Sequence, residues 1–387
     1  MQPRRSHLSL IAIAIGALAV QLIASCAEGE SEKTRPATDS GLDPEAATVV
    51  PPVEGCPDDA WCPVAIPPEP VTLNGIWGAE PDDVWIVGTP DVAFHWNGSR
   101  LATARLGTRQ SLFGVWGSAK DDVWTFSSTS AMWHTRGFDG EDAGWSRTSG
   151  TTGPNDDGSW PTPVFAMWGR SAMDIWAVGA GAAGEPLRPN VFHCDGWRDG
   201  APRWEASPTS AMDPPGLEPI SFHAISGSGS AGVWIVGAGG KTRRTDGWQP
   251  DGGASWTAVN SHTSTMLHAV WASPSGVVWA GGEGGTMRRF SREDAGGYTA
   301  EAVDFPSTAT IRALWGSTDD DVWAVGDAGT IVHWDGTAWA RVDTPHMPEL
   351  ARHDLFAIWG WSKDALWIAG EGVLAHKGSA PVPERSQ

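Results

Sequence analysis

Apolar residues in this chain do not spread evenly. They bunch into short runs broken by glycine, aspartate and serine. One run, "LNGIWG", starts at Leu73, and Trp85 follows eight residues after its Trp77. The pattern recurs seven times, with the second tryptophan at Trp85, Trp124, Trp176, Trp234, Trp279, Trp323 and Trp367. The eight-residue interval holds in every copy, although Ser226 replaces the first tryptophan of the fourth, while the copies lie about 39 to 58 residues apart. A constant core with variable lengths elsewhere marks a structural repeat. The copies have two β-rich runs, a turn, and a third run such as "TIVHW", after which, in all but the seventh, a turn such as "DG" opens a fourth. That pattern predicts four strands per unit.

Units of this size and strand count predict an all-β chain, a seven-bladed β-propeller with four-stranded blades. Blades packed face to face bury both sides of their inner strands, which explains near-continuous apolar runs in place of alternation. Tryptophan supplies each layer with a large apolar area and few rotatable bonds. The seventh unit has only three strands, ending near Lys377, while "WCPVAI" (Trp61 to Ile66) precedes the first unit unassigned. The spare strand is therefore expected to complete the last blade. The propeller would span 56–379, with a tail at 380–387. Long connections after the fourth strands of units 2 and 3, and after the second strand of unit 3, would crowd one face. Loops on a rigid scaffold commonly carry binding residues.

Three sets of positions could carry chemistry. Every third strand has His or Arg at one place: His95, His134, His193, Arg244, Arg289, His333 and His376. The five histidines are accompanied by Asp83, Asp122, Asp174, Asp321 and Asp364 near the start of the preceding strand. Antiparallel pairing brings such positions together, so structural Asp–His hydrogen bonds are expected. Each histidine lies in a different blade, which argues against a shared metal site. Units 4 and 5 lack the aspartate and carry Arg243, Arg244, Arg288 and Arg289, candidates for gripping an anionic group. Glu283, Asp327 and Glu371 stand in the turn after the second strand of units 5, 6 and 7. They could bind a cation or line a sugar site, although ordinary turn preference also explains them.

The chain has 25 Trp, 48 Gly and 29 Pro but one Tyr, which suits a β-rich fold with many turns. A net charge of -20 argues against nucleic-acid binding. Residues 1–25 read as a targeting segment: Arg4 and Arg5, then the apolar "LSLIAIAIGALAVQLI". The "IASC" that follows resembles the bacterial lipoprotein signal, in which Cys26 is lipidated and becomes the new N-terminus. An ordinary secretory signal cleaved near the same point is the alternative. Residues 26–55 lack apolar periodicity and read as a flexible tether. In an exported protein Cys56 and Cys62 are expected to pair, leaving Cys194 as a buried free thiol. No cofactor or metal is expected.

"VWAVGDAGTIVHWDGTAW" resembles repeats of the photosystem II assembly factor type, related BNR/Asp-box propellers, and the Trp-rich repeat proteins of myxobacteria. "DGGASW", from Asp251 to Trp256, is similar to the Asp-box core. The resemblance implies a propeller and a choice of roles: binding protein, assembly factor or glycosidase. Sialidase-like members use a tyrosine nucleophile, and here the only tyrosine, Tyr298, falls in an outer fourth strand. No nucleophile-elbow, zinc-protease, phosphate-loop or dinucleotide motif occurs. The expectation is a monomeric, non-enzymatic binding or scaffold propeller, lipid-anchored in the cell envelope and facing a protein or polysaccharide there. Outer-membrane location is suggested by Ala27 after Cys26. A carbohydrate-active enzyme is the alternative.

Overall fold

Seven four-stranded antiparallel sheets make up the computed structural model, and they follow one another in chain order around an axis. The described residues are 57–378, apart from 58, 68–69, 128–130, 140–142, 149–162, 181–189, 210–219, 250–251 and 295. They fall within one compact unit, Ala47–Gln387. The targeting segment with Cys26, the tether, Cys56, the tail and most of the three long connections lie outside the described residues.

Blade 1 shows how the sequence builds each sheet. Its strands are Thr72–Glu80, Asp83–Thr89, Val92–Trp96 and Leu101–Thr103. The tight turn at residues 81–82 sets the first register, with Trp77 opposite Trp85. The turn at Pro90 and Asp91 and the "NG" turn at Asn97 and Gly98 then fold the third and fourth strands outward. The second strand is buried over nearly its whole length, which is why it reads as a continuous apolar run.

The spare N-terminal strand closes the ring. Trp61–Pro63 pairs antiparallel with Val373–Lys377, as the outermost strand of the sheet that holds Leu355–Ser362 and Ala365–Gly370. Val64 extends the pairing by donating its amide to the Leu374 carbonyl at 2.8 Å. Cys62 is a disulfide cysteine, and Cys194 is a buried free thiol. Burial raises the Cys194 pKa to about 11, so the thiol is inert at neutral pH.

The second tryptophan of each blade lies against an aromatic side chain of the next. Trp85 meets Trp145, Trp124 meets Trp204, and Trp176 meets Trp256. Trp234 meets Tyr298, and Trp279 meets Trp339. Trp323 meets Trp61 of the closing strand, and Trp367 meets Trp96 of blade 1. Six of these seven pairs are edge-to-face, with centroids 4.8 to 6.0 Å apart, the favoured aromatic geometry.

The first tryptophans interlock differently. A Cβ added to Gly117 would fall 2.5 Å from Trp77 of the previous blade, and one at Gly227 would fall 2.5 Å from Trp168. Gly169 and Gly316 receive Trp116 and Trp271 in the same way. The exception explains itself. Blade 4 has Ser226 in place of the tryptophan, and the next blade can then carry Ala272, whose amide donates to Ser226 Oγ at 3.1 Å.

Two stability predictions follow from these contacts. Trp61→Ala should cost about 3–5 kcal/mol, as for other buried tryptophans, read as a lowered urea midpoint for the whole ring in one transition. A wild-type midpoint would show that the N-terminal strand does not hold the ring shut. Gly117→Ala should cost about 1–3 kcal/mol through overpacking, and the cost should be smaller in a Trp77→Ser background, where only the Asp122 carbonyl, 2.7 Å from the added Cβ, still opposes it. Equal costs in both backgrounds would refute the Trp–Gly coupling.

Candidate functional site

Four of the five expected Asp–His pairs form. Histidine Nε2 donates to the aspartate at 2.6 Å in His95–Asp83, 2.9 Å in His134–Asp122, 2.9 Å in His193–Asp174 and 2.7 Å in His333–Asp321. Three of these carboxylates also accept the indole N–H two residues on, from Trp124, Trp176 and Trp323. Ser118 and Ser317 donate to the second oxygens of Asp122 and Asp321. Blade 1 has Ala79 at the corresponding place, and Asp83 Oδ2 is left buried without a partner.

The fifth pair does not form. Asp364 sits in the exposed turn, one residue early, and accepts from Lys377 Nζ at 3.1 Å. Ala365 takes the strand position that the other aspartates occupy, so nothing acidic reaches His376. The formed pairs lie between blades, away from the axis. Phe138, Trp197 and Trp248 of the following blades cover His95, His134 and His193, with ring centroids 4.7, 4.7 and 4.3 Å away. Among the described residues no group of three His, Cys, Asp or Glu is placed to hold a metal ion.

The four arginines of blades 4 and 5 are held locally. Arg244 donates to the Ala231 carbonyl at 2.8 Å, pairs with Asp246, and lies over the Tyr298 ring. Gly232 replaces the aspartate there, and a Cβ at that position would press on Thr245 O at 2.4 Å. Arg289 lies over Trp279 and pairs with Glu301 at 3.2 Å. Arg288 caps the Ser261, Met287 and His262 carbonyls. Arg243 is buried and donates to the Thr242 carbonyl. Arg243 and Arg244 point to opposite faces of one strand, as do Arg288 and Arg289. Tyr298 donates to the Gly276 carbonyl at 3.2 Å from the outermost strand of blade 5, far from any catalytic role at the axis. Asp251 lies outside the described residues.

The axis holds what the sequence pattern did not single out. The first strands line a channel with a cavity of about 440 Å³, ringed by Trp77, Trp116, Trp168, Trp271, Trp315 and Trp359. At the end where the first strands begin, a second cavity of about 210 Å³ is lined by one residue from each blade: Asn74, Phe113, Phe165, His223, His268, Arg312 and Phe356. All seven occupy the second place of their unit, between a buried aliphatic or Phe222 and a small residue. The available signal was that this position changes chemistry from unit to unit while the residues on either side of it stay apolar or small.

The mouth is a belt of ring faces. Phe113 and Phe165 lie 6.4 Å apart, Phe165 stacks on His223 at 4.9 Å, and His223 meets His268 edge-on at 5.5 Å. The Arg312 guanidinium lies 6.0 Å over Phe356 and grips Asp327 with two bonds, 2.7 and 3.1 Å. Asn74 is tied to Leu112 O and Thr89 Oγ1. Burial holds both His223 and His268 below the ordinary imidazole value, with Arg312 acting in the same direction on His268, so both rings are neutral at pH 7. Two of the three turn carboxylates reach this mouth: Asp327 through Arg312, and Glu283, 3.9 Å from His268. Glu371 is exposed on the same face, bridging to Thr72 through its backbone.

These features define a seven-bladed propeller with a closed ring and one chemically varied mouth. No known protein family and no curated protein matches the chain. Solved structures match its fold. YCF48 bound to a D1 peptide is 17% identical, with a TM-score of 0.60, covering 85% of this chain and 99% of that one. YCF48 from Cyanidioschyzon merolae is 17% identical, with a TM-score of 0.62, covering 82% and 99%. The extracellular domain of BT3049 from B. thetaiotaomicron is 13% identical, with a TM-score of 0.57, covering 79% of this chain and 40% of that one. At such identities the likeness establishes the fold.

The Asp–His pairs predict acid sensitivity. Burial pushes the carboxyls of Asp122, Asp174 and Asp321 up, but hydrogen bonds from His and Trp, joined by Ser at Asp122 and Asp321 and by the Arg170 charge at Asp174, outweigh it and hold them below the ordinary range. A carboxyl depressed by folding stabilises the fold above its unfolded value of about 3.9 and loses that contribution as pH falls below it. The urea midpoint should therefore drop between about pH 4 and pH 2, and Asp122→Asn should flatten the drop. A wild-type midpoint unchanged down to pH 2 would refute the coupling.

Proposed function

We propose that this chain is an exported, lipid-anchored propeller that binds a protein partner through its aromatic mouth and catalyses no reaction. The observation that carries this reading is the mouth itself. Seven different blades deliver Asn, three Phe, two His and Arg to one opening, whereas the axial channel behind it is ringed by one repeated residue type, tryptophan. Residues used only for packing would be alike from blade to blade. YCF48, a propeller of the same fold, is seen bound to a D1 peptide, which supports a peptide-binding use of this architecture. The N-terminal segment through Cys26 and the 26–55 tether support display of the ring at a distance from a membrane. By random-coil scaling, roughly 28 residues reach on the order of 30 Å. The outer-strand position of Tyr298 and the local pairing of Asp327 favour binding over sialidase-like hydrolysis.

A photo-crosslinking residue at Phe113, in the full chain expressed in its own cells, tests both parts. The expected result is a discrete protein adduct in the membrane fraction. Phe165→Ala should abolish it, and Cys26→Ser should move it to the soluble fraction. An adduct unaffected by Phe165→Ala would rule out the mouth as the docking site. A Cys26→Ser chain that stays with the membrane would rule out the lipid anchor.

A further inference from the structure

The mouth has a charge as well as a shape. With His223 and His268 neutral, the charged groups around it include the Arg312 guanidinium and the carboxylates of Glu283, Asp327, Asp354 and Glu371, Asp354 accepting from the Ala328 amide. Asp327 and Arg312 cancel in a bidentate pair. Glu283 and Glu371 are left exposed without a Lys or Arg partner among the described residues; Glu283 approaches the mouth residue His268, and Glu371 stands in the equivalent turn of blade 7, its backbone bridged to Thr72. Between them and the axis lie five ring faces, three phenyl and two imidazole.

Aromatic faces carry negative charge above the ring plane and attract cations, more so where the site is shielded from water. The mouth already uses this attraction once, since Arg312 lies over Phe356. A purely apolar visitor would leave both glutamates unpaired, and an anionic one would be repelled by them. A cavity of about 210 Å³ accommodates the end of one long side chain.

We propose that the mouth captures a lysine side chain, or its N-methylated form, presented by a basic segment of the partner protein, with the ammonium over the Phe113 and Phe165 faces and Glu283 and Glu371 as counter-charges. The assignment rests on the mouth being the docking site, as proposed above, and adds the chemistry of what enters it.

The test uses the full purified chain and fluorescence anisotropy of the labelled peptide Gly-Lys-Gly-Lys-Gly, its trimethyl-lysine counterpart and its glutamate counterpart. The lysine peptide should bind and the glutamate peptide should not. Trimethylation should change affinity by less than about threefold, because ring faces need charge and not N–H donors. The double variant Glu283→Gln/Glu371→Gln, altered only at exposed side chains, should weaken binding at least tenfold. Asp121→Asn/Asp320→Asn removes the same charge from exposed turns on the opposite face and should weaken it less than twofold.

Equal losses in the two double variants would overturn the assignment, leaving only attraction to an acidic protein. So would loss of binding on trimethylation. Binding of chitotetraose but of neither lysine peptide would make the mouth a glycan site. If no lysine peptide binds while Phe165→Ala still abolishes the crosslink at Phe113, the cation assignment fails and the docking site stands. If the crosslink also survives Phe165→Ala, both fail.

Discussion

The contact on which this ring depends is the meeting of each blade's second tryptophan with an aromatic side chain of the next. It recurs at all seven junctions, including the one that joins chain end to chain start. A propeller blade alone cannot bury its faces, so its stability lies in its neighbours. A large rigid ring in edge-to-face contact supplies both area and a defined angle between blades. Trp61 is then the sixth fourth-strand aromatic, placed at the other end of the chain, and not an accessory clasp; at the seventh junction Trp96 of a third strand stands in.

Several local features are consequences of that geometry. Blades that lean this closely leave no room beside the first tryptophan, so glycine follows it wherever a tryptophan arrives from behind, and alanine appears only after Ser226. The buried second strand begins at a turn that needs a polar anchor, and the Asp–His pair provides it within the interface. Where the aspartate is missing in blade 4, arginine and a backbone carbonyl take over the same job. In blades 1 to 4 and 6, histidine or arginine at one register position thus anchors the start of the second strand, and each does so within its own blade.

The mouth is where the blades differ. The second residue of each unit lines the opening at the start of the inner strands, in contact there with its counterparts on adjacent blades. Asn, Phe, His and Arg stand there at one equivalent position. Aromatic faces backed by uncompensated carboxylates make this opening suited to a cation, within a protein whose overall charge is already negative.

The sequence by itself determined the architecture. The eight-residue tryptophan interval, repeated seven times, specified blade number, strand order, the first-to-second strand register and the need for a donated strand, because these follow from local pairing and burial. It also located four Asp–His pairs, since register alone sets their distance, and it missed on Asp364 because a one-residue shift moved that side chain into a turn. Only the tertiary structure decided the site. Asn74, Phe113, Phe165, His223, His268, Arg312 and Phe356 lie in seven different units and become neighbours only when the ring closes. Likewise, whether Arg244 was a ligand or a strut depended on Tyr298 of the next blade and on a carbonyl thirteen residues away. Local patterns encode strands; convergence at an axis is a property of the closed ring.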